Sequence, residues 1–149
     1  MNAATPPRKD ILPLADALRP ALLKVSRALR RESQRAGVSA LDAQLLGIVK
    51  KHGGVGVSEL AEREQMTRAS MSGHVKRLEA AGWIIRAAPD DDDRRRVGLT
   101  LTPEGGKALD AIRRRRNDWL AARLAKLTDA ERAALAAAAE PLVRLAEDR

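Results

Sequence analysis

Between Ser58 and Gly82 two short helical patterns, SELAEREQ and RASMSGHVKRLEAAG, are separated only by Met66 and Thr67. Two short helices across a tight turn make a helix-turn-helix unit. Ser58 is the expected cap of the first helix, and Gly82 ends the second. In the second helix Met71, Val75 and Leu78 recur at helical spacing and form its expected core face.

The flanks extend this unit at both ends. From Ile11 to Ala36 the residues Leu14, Leu18, Leu22, Val25 and Leu29 trace one helical face. Pro20 predicts either a kink near Arg19 or a late start, and Gly37 the stop. Ser39 caps a second helix with Leu41, Leu45, Ile48 and Val49 inward, closed by KHGG at residues 51–54. Beyond Gly82, Trp83 to Ala87 reads as a strand, and Arg96 to Leu101 alternates as the returning strand of a β-hairpin. Thr102 then caps a long helix with Pro103 at its first position and Glu104 in its first turn. Leu109, Ile112, Trp119 or Leu120, and Leu124 carry this helix to about Leu127. Thr128 with Glu131 is a capping box that opens a last helix containing Leu135, Ala138, Leu142 and Leu145, with a predicted kink at Pro141. The fold class is therefore mainly α with a small β-wing: a winged helix-turn-helix flanked by helices at both ends. Phe and Tyr are absent and Trp occurs twice, so Leu, Ala, Ile and Val must build the core.

Charge narrows the choice of partners. Lys and Arg number 28 against 20 Asp and Glu, a formal net charge of +8, and the pI is about 10.7. Such a chain favours a polyanion, nucleic acid or an anionic membrane surface. There is no Cys, which excludes disulfides, thiolate metal sites and thiol redox sensing. The polar N-terminal MNAATPPRKD has no apolar segment behind it, and no apolar run reaches the ~18 residues of a membrane span. A cytoplasmic protein with no membrane association is expected. At 149 residues the chain fits one domain.

DDRRRVGLTLTPEG, Asp92 to Gly105, resembles the wing signature of the MarR family of bacterial transcriptional regulators: Asp93 and Arg95 as an Asp-x-Arg pair, an alternating strand, then Leu101, Thr102 and Gly105. VSELAEREQMT (Val57 to Thr67) and VKRLEAAGWIIR (Val75 to Arg86) resemble the family's helix-turn-helix and its exit into the wing. The resemblance covers Ile11 to the C-terminus. It implies a homodimer in which residues 11–36 and 103–149 form the helical dimerisation region, residues 37–102 form the DNA-binding domain, and residues 1–10 are a flexible N-terminus. It further implies binding to a pseudo-palindromic operator in double-stranded DNA. A small, aromatic or phenolic acid in a crevice between the two regions would release the DNA, making the protein a repressor. The sequence departs from the family at His74, where a bulky apolar residue is usual, and at Gly73, where a longer polar one is common.

With Met71, Val75 and Leu78 inward, Arg68, Ser72, Gly73 and Lys76 lie on the opposite face, with Ser70 and Arg77 on its flanks. A helix of this kind fits the major groove, where Arg grips guanine and Ser reaches several base edges. Lys76 and Arg77 suit phosphates better than bases, and Gly73 permits close approach. In the wing, the resemblance implies that Asp93 aims Arg95 at the minor groove, while Arg94 and Arg96 offset the repulsion of Asp90, Asp91 and Asp92. The bland alternatives are a solvated helix face and a solvated loop whose charges cancel. His74 reads as a hydrogen-bonded, half-buried histidine, and His52 as a loop residue. Four adjacent Asp cannot converge on calcium, whose loops space their carboxylates, so no metal is expected. Arg113 to Arg116 reads as a solvated surface. Trp83 and Trp119 read as packing anchors, with Trp119 a candidate for lining an effector crevice whose other residues the sequence does not name. No nucleophile set or phosphate loop supports catalysis, and no cofactor is expected. The alternatives to a specific regulator are an architectural DNA binder and a helical ligand- or protein-binding module.

Overall fold

Four helices begin where a Ser or Thr side chain accepts the backbone N–H three residues on: Ser39 from Asp42, Thr67 from Ser70, Thr102 from Gly105 and Thr128 from Glu131. Each satisfies a donor that the first helical turn leaves without a partner. The computed structural model describes residues 8–87 and 98–147. Within them the order is α1 (Arg8–Arg35), α2 (Ala40–Lys51), α3 (Val57–Arg63), α4 (Arg68–Ala80), β1 (Ile84–Ala87), β2 (Gly98–Leu101), α5 (Pro103–Leu124) and α6 (Asp129–Ala146).

Two details differ from the sequence reading. α1 starts at Arg8 and runs through both Pro13 and Pro20, so the late start is not taken; residues 1–7 lie outside the described residues. α3 is capped by Gly56 without a side-chain bond, and Ser58 lies inside the helix. The cause is tertiary: Val55 forms an isolated bridge with Leu99 of the wing, with Leu99 N–H donating to Val55 O at 2.8 Å. That bridge fixes the extended entry, so the helix starts at Val57. Gly37 and Gly82 stop α1 and α4 in the left-handed region, with φ of +79° and +76°.

The core sits in the middle of the chain. Leu45, Leu46 and Val49 of α2, Leu60 and Ala61 of α3, and Met71, Val75 and Leu78 of α4 pack with Val55, Ile84, Leu99 and Leu109 into one buried cluster. β1 and β2 pair antiparallel, with Ile84 opposite Leu101 and Ala87 opposite Gly98. Thr102 closes the base of this wing: its hydroxyl donates to Gly82 O at 2.6 Å and accepts from Gly105 N at 3.0 Å. A Cβ at Gly105 would lie 2.0 Å from Trp83 O, and one at Gly98 would lie 2.3 Å from Gly54 O, so both closures require glycine.

The outer helices are built differently. α5 buries only Gly105, Leu109 and Ile112, and α6 buries nothing. α1 leaves Leu14 59% and Leu23 53% exposed, and α6 leaves Val143 58% and Leu145 72% exposed. No helix among the described residues is long and apolar enough to cross a membrane.

Candidate nucleic-acid interface

Because Met71, Val75 and Leu78 are at most 2% exposed, the opposite side of α4 must face outward. Gly73 and Lys76 are exposed there, Ser70 and Arg77 are exposed on its flanks, and Ser72 is half-buried at its edge; Arg68, three positions before Met71, stands instead on the core side of the axis and is exposed because it is the first residue of the helix. The Thr67 cap fixes where the helix starts. No side chain or backbone atom approaches a Cβ position at Gly73 within 4 Å, so the space beside it is open. Asp93, Arg94 and Arg95 lie outside the described residues.

Polar contacts hold α4 from two sides. Arg77 Nη2 donates to Asp42 Oδ1 at 2.8 Å, and the carboxylate side chain is only 11% exposed. The same nitrogen lies 2.8 Å from His74 Nδ1, and since arginine only donates, that ring nitrogen must accept. His74 is half-buried, in the hydrogen-bonded setting read from the sequence. At the far end, Arg86 Nε of β1 donates to Glu79 Oε1 at 2.8 Å, joining the helix to the wing. In the turn before α4, Gln44 of α2 donates to both oxygens of Glu64 at 2.9 Å. The sequence reading missed Asp42, Gln44, Glu64 and Glu79, since tertiary polar pairs leave no periodic signal.

Behind this unit α1, α2 and α5 enclose a crevice of about 470 Å³, apolar at Leu22, Val25, Leu29 and Ala40 and polar at Ser26, Arg30, Gln44 and Arg116. Here the solvated-surface reading of Arg113 to Arg116 needs correction. Arg113, Arg114 and Arg115 are exposed, but Arg116 is half-buried. It follows buried Ile112 by four positions, the spacing that returns a side chain to the same helix face. Its Nε is buried with no hydrogen-bond partner among the described residues, and burial lowers the guanidinium below its ordinary pKa. Arg115 instead reaches buried Glu32 of α1 at 3.4 Å. Trp119 is not among the residues lining the crevice; the Arg123 guanidinium stacks 3.8 Å from its ring centre and covers it.

A capped recognition helix with an outward basic and hydroxyl face, a turn-linked partner helix and a two-stranded wing define a winged helix-turn-helix DNA-binding protein. Residues 36–96 match the model of the MarR family. An HTH-type transcriptional regulator of Mycobacterium bovis is 33% identical over 135 residues, 91% of this chain and 94% of that protein. The crystal structure of a Pseudomonas aeruginosa protein described as a transcriptional regulator superposes with a TM-score of 0.79 at 35% identity, covering 97% of this chain and 100% of that one. A Mycobacterium tuberculosis MarR family protein, solved in complex with p-aminosalicylic acid, superposes with a TM-score of 0.63 at 26% identity over 84% of this chain and 97% of that one. The chain belongs to the MarR family and is a helix-turn-helix transcriptional regulator.

Proposed function

We propose that this regulator is a homodimeric repressor that places α4 of each protomer in successive major grooves of a pseudo-palindromic operator and releases it when a small aromatic acid enters the crevice. The observation that carries the DNA-binding part is the two-sidedness of α4: its apolar residues are fully occupied by the core, while Ser70, Gly73 and Lys76 are exposed with no packing duty, beside Arg77, which also holds Asp42. Arg68 at the start of the helix reads a base edge, Lys76 meets phosphate, and Arg77 does so from a guanidinium already anchored on Asp42. Arg94 and Arg95 of the wing, with Asp93 aiming the latter, complete the footprint. No residue is assigned a catalytic role, and the reading places the protein with the DNA in the cytoplasm.

The dimer is supported by the apolar residues that one chain leaves uncovered along α1 and α6, Leu14, Leu22, Leu23, Val25, Leu135, Val143 and Leu145 among them, since exposed apolar helix faces mark protein–protein contacts. The effector is supported by the p-aminosalicylic acid complex of the related protein and by Arg116 among the residues that line the crevice, since a guanidinium suits a carboxylate. Selection of bound duplexes from a random library, followed by titration of Arg68→Ala and Lys76→Ala, tests the reading. Lys76→Ala should weaken all duplexes alike and reduce the salt slope by about 1, whereas Arg68→Ala should also relax the selected sequence. Equal loss on every sequence by both variants contradicts base reading. In sedimentation experiments the protein should be a dimer, and Leu14→Glu should shift it toward monomer.

A further inference from the structure

Gln44 belongs to two structures at once. It is one of the residues that line the crevice, and its amide nitrogen sits 2.9 Å from both carboxylate oxygens of Glu64. Glu64 is the C-cap of α3. The next residue, Gln65, takes a φ of +53°, the left-handed region that non-glycine residues seldom adopt, and Thr67, two positions further, caps α4. The Gln44 amide thus holds the carboxylate at the point where the backbone reverses between the two helices of the DNA-binding unit.

The chemistry of that contact matches the chemistry of the crevice. A carboxylate ligand drawn in by Arg116 is the same kind of acceptor as the Glu64 side chain; the Gln44 amide nitrogen faces both Glu64 oxygens, and with two N–H donors in all, a ligand that takes one leaves a single donor for Glu64. We propose that Gln44 transmits occupancy of the crevice to the helix-turn-helix: an aromatic carboxylate held by Arg116 competes with Glu64 for the Gln44 amide, and the turn before α4 loses its tether to α2. This rests on the effector reading above and assigns the residue through which that effector acts. Gln44 is a positioning residue, since its influence on DNA passes through Glu64 and the turn. A ligand can shift operator affinity only by what it gains in one state over the other, and exchanging Glu64 for the ligand supplies such a difference.

The test measures operator affinity with and without saturating p-aminosalicylate, and p-aminosalicylate binding to DNA-free protein by calorimetry, for wild type, Gln44→Leu and Glu64→Gln, with melting temperatures recorded. In wild type the acid should weaken operator binding at least about 5-fold, the lower end of ordinary allosteric coupling. Gln44→Leu should already bind operator about 3- to 10-fold more weakly and should show less than about a 2-fold further response, while still binding the acid. Glu64→Gln keeps a neutral acceptor, roughly half as strong as a charged one, and should release operator at a lower acid concentration than wild type. If Gln44→Leu responds to bound acid as fully as wild type, the inference is overturned alone. If wild type binds its operator but ignores the acid, the effector reading falls and the inference falls with it. Failure of wild type to bind any operator would instead refute the DNA-binding assignment, and with it both.

Discussion

Arg77 near the end of the recognition helix and Asp42 in the first turn of α2 meet at 2.8 Å across 35 positions of sequence. The Asp42 side chain is mostly buried, at 11% exposed, while the Arg77 side chain is 55% exposed. One partner is desolvated and the other remains in contact with water.

Removing the exposed partner should therefore cost more than a surface pair is worth. Arg77→Ala leaves a buried carboxylate without its counter-charge, and discounting for the solvent at Arg77 the loss is about 1 to 2 kcal/mol. Asp42→Ala in the same background should restore part of it, giving a coupling energy of about 1 kcal/mol in a double-mutant cycle by chemical denaturation. Strictly additive losses would show that the pair is incidental.

Two glycine substitutions should move stability in opposite directions. Gly105→Ala forces a Cβ to 2.0 Å from Trp83 O, against backbone that cannot swing away, and should cost at least about 2 kcal/mol. Gly73→Ala meets nothing within 4 Å and should raise stability by roughly 0.5 to 1 kcal/mol through helix propensity. On the proposed docking of α4 it should nevertheless weaken operator binding, because the added methyl would stand between the helix and the duplex. A Gly73→Ala protein with unchanged operator affinity would remove Gly73 from the interface.

The capping box at Thr128 should give α6 an acid-sensitive start. The Glu131 carboxylate accepts from the Thr128 backbone N–H and from the Thr128 hydroxyl, and these bonds lower its pKa below the ordinary value of 4.5. A carboxyl group whose pKa is lower in the folded state stabilises that state above its unfolded value and loses the contribution as pH falls through the folded value. Helix-start protection, read by amide exchange at Thr128 and Glu131, whose N–H groups the capping box binds, should hold above about pH 4.5 and decline below it. Glu131→Gln should flatten that dependence, and a decline of the same shape in the variant would assign it elsewhere.

Local chemistry was readable and tertiary pairing was not. Ser39, Thr102 and Thr128 with Glu131 cap where the sequence places them, because side-chain to backbone bonds over three positions depend on nothing distant. Met71, Val75 and Leu78 are buried as their spacing requires. Ser58 misled because α3 is set by the Val55 to Leu99 bridge, which joins the loop to a strand far along the chain. Asp42 and Gln44 looked like ordinary polar residues of an amphipathic helix, and only their partners on α4 and after α3 give them roles. Arg116 was hidden within a run of four arginines; its spacing from Leu109 and Ile112, at seven and four positions, was the signal that could have separated it from its neighbours.

The wing supplies a substitution whose sign discriminates. On the proposed footprint Asp91 and Asp93 would each bring negative charge toward DNA, so if only summed charge mattered, replacing either with Ala would tighten binding. If Asp93 orients Arg95 toward the narrow, electronegative minor groove, Asp93→Ala and Arg95→Ala both weaken binding, whereas Asp91→Ala is neutral or slightly tightening. Equal tightening by the two aspartate variants at one salt concentration would refute the orienting role.

The most direct test of a sequence-specific repressor is the ratio of its affinities for the selected operator and for a scrambled duplex of equal length, measured at ~0.15 M salt. Specific regulators hold a ratio of about 10³ or more under such conditions. We predict a ratio in that range, with the operator an inverted repeat whose half-site centres lie about 10 bp apart. Equal affinities for the two duplexes would contradict the account and leave a basic protein that binds DNA by charge alone.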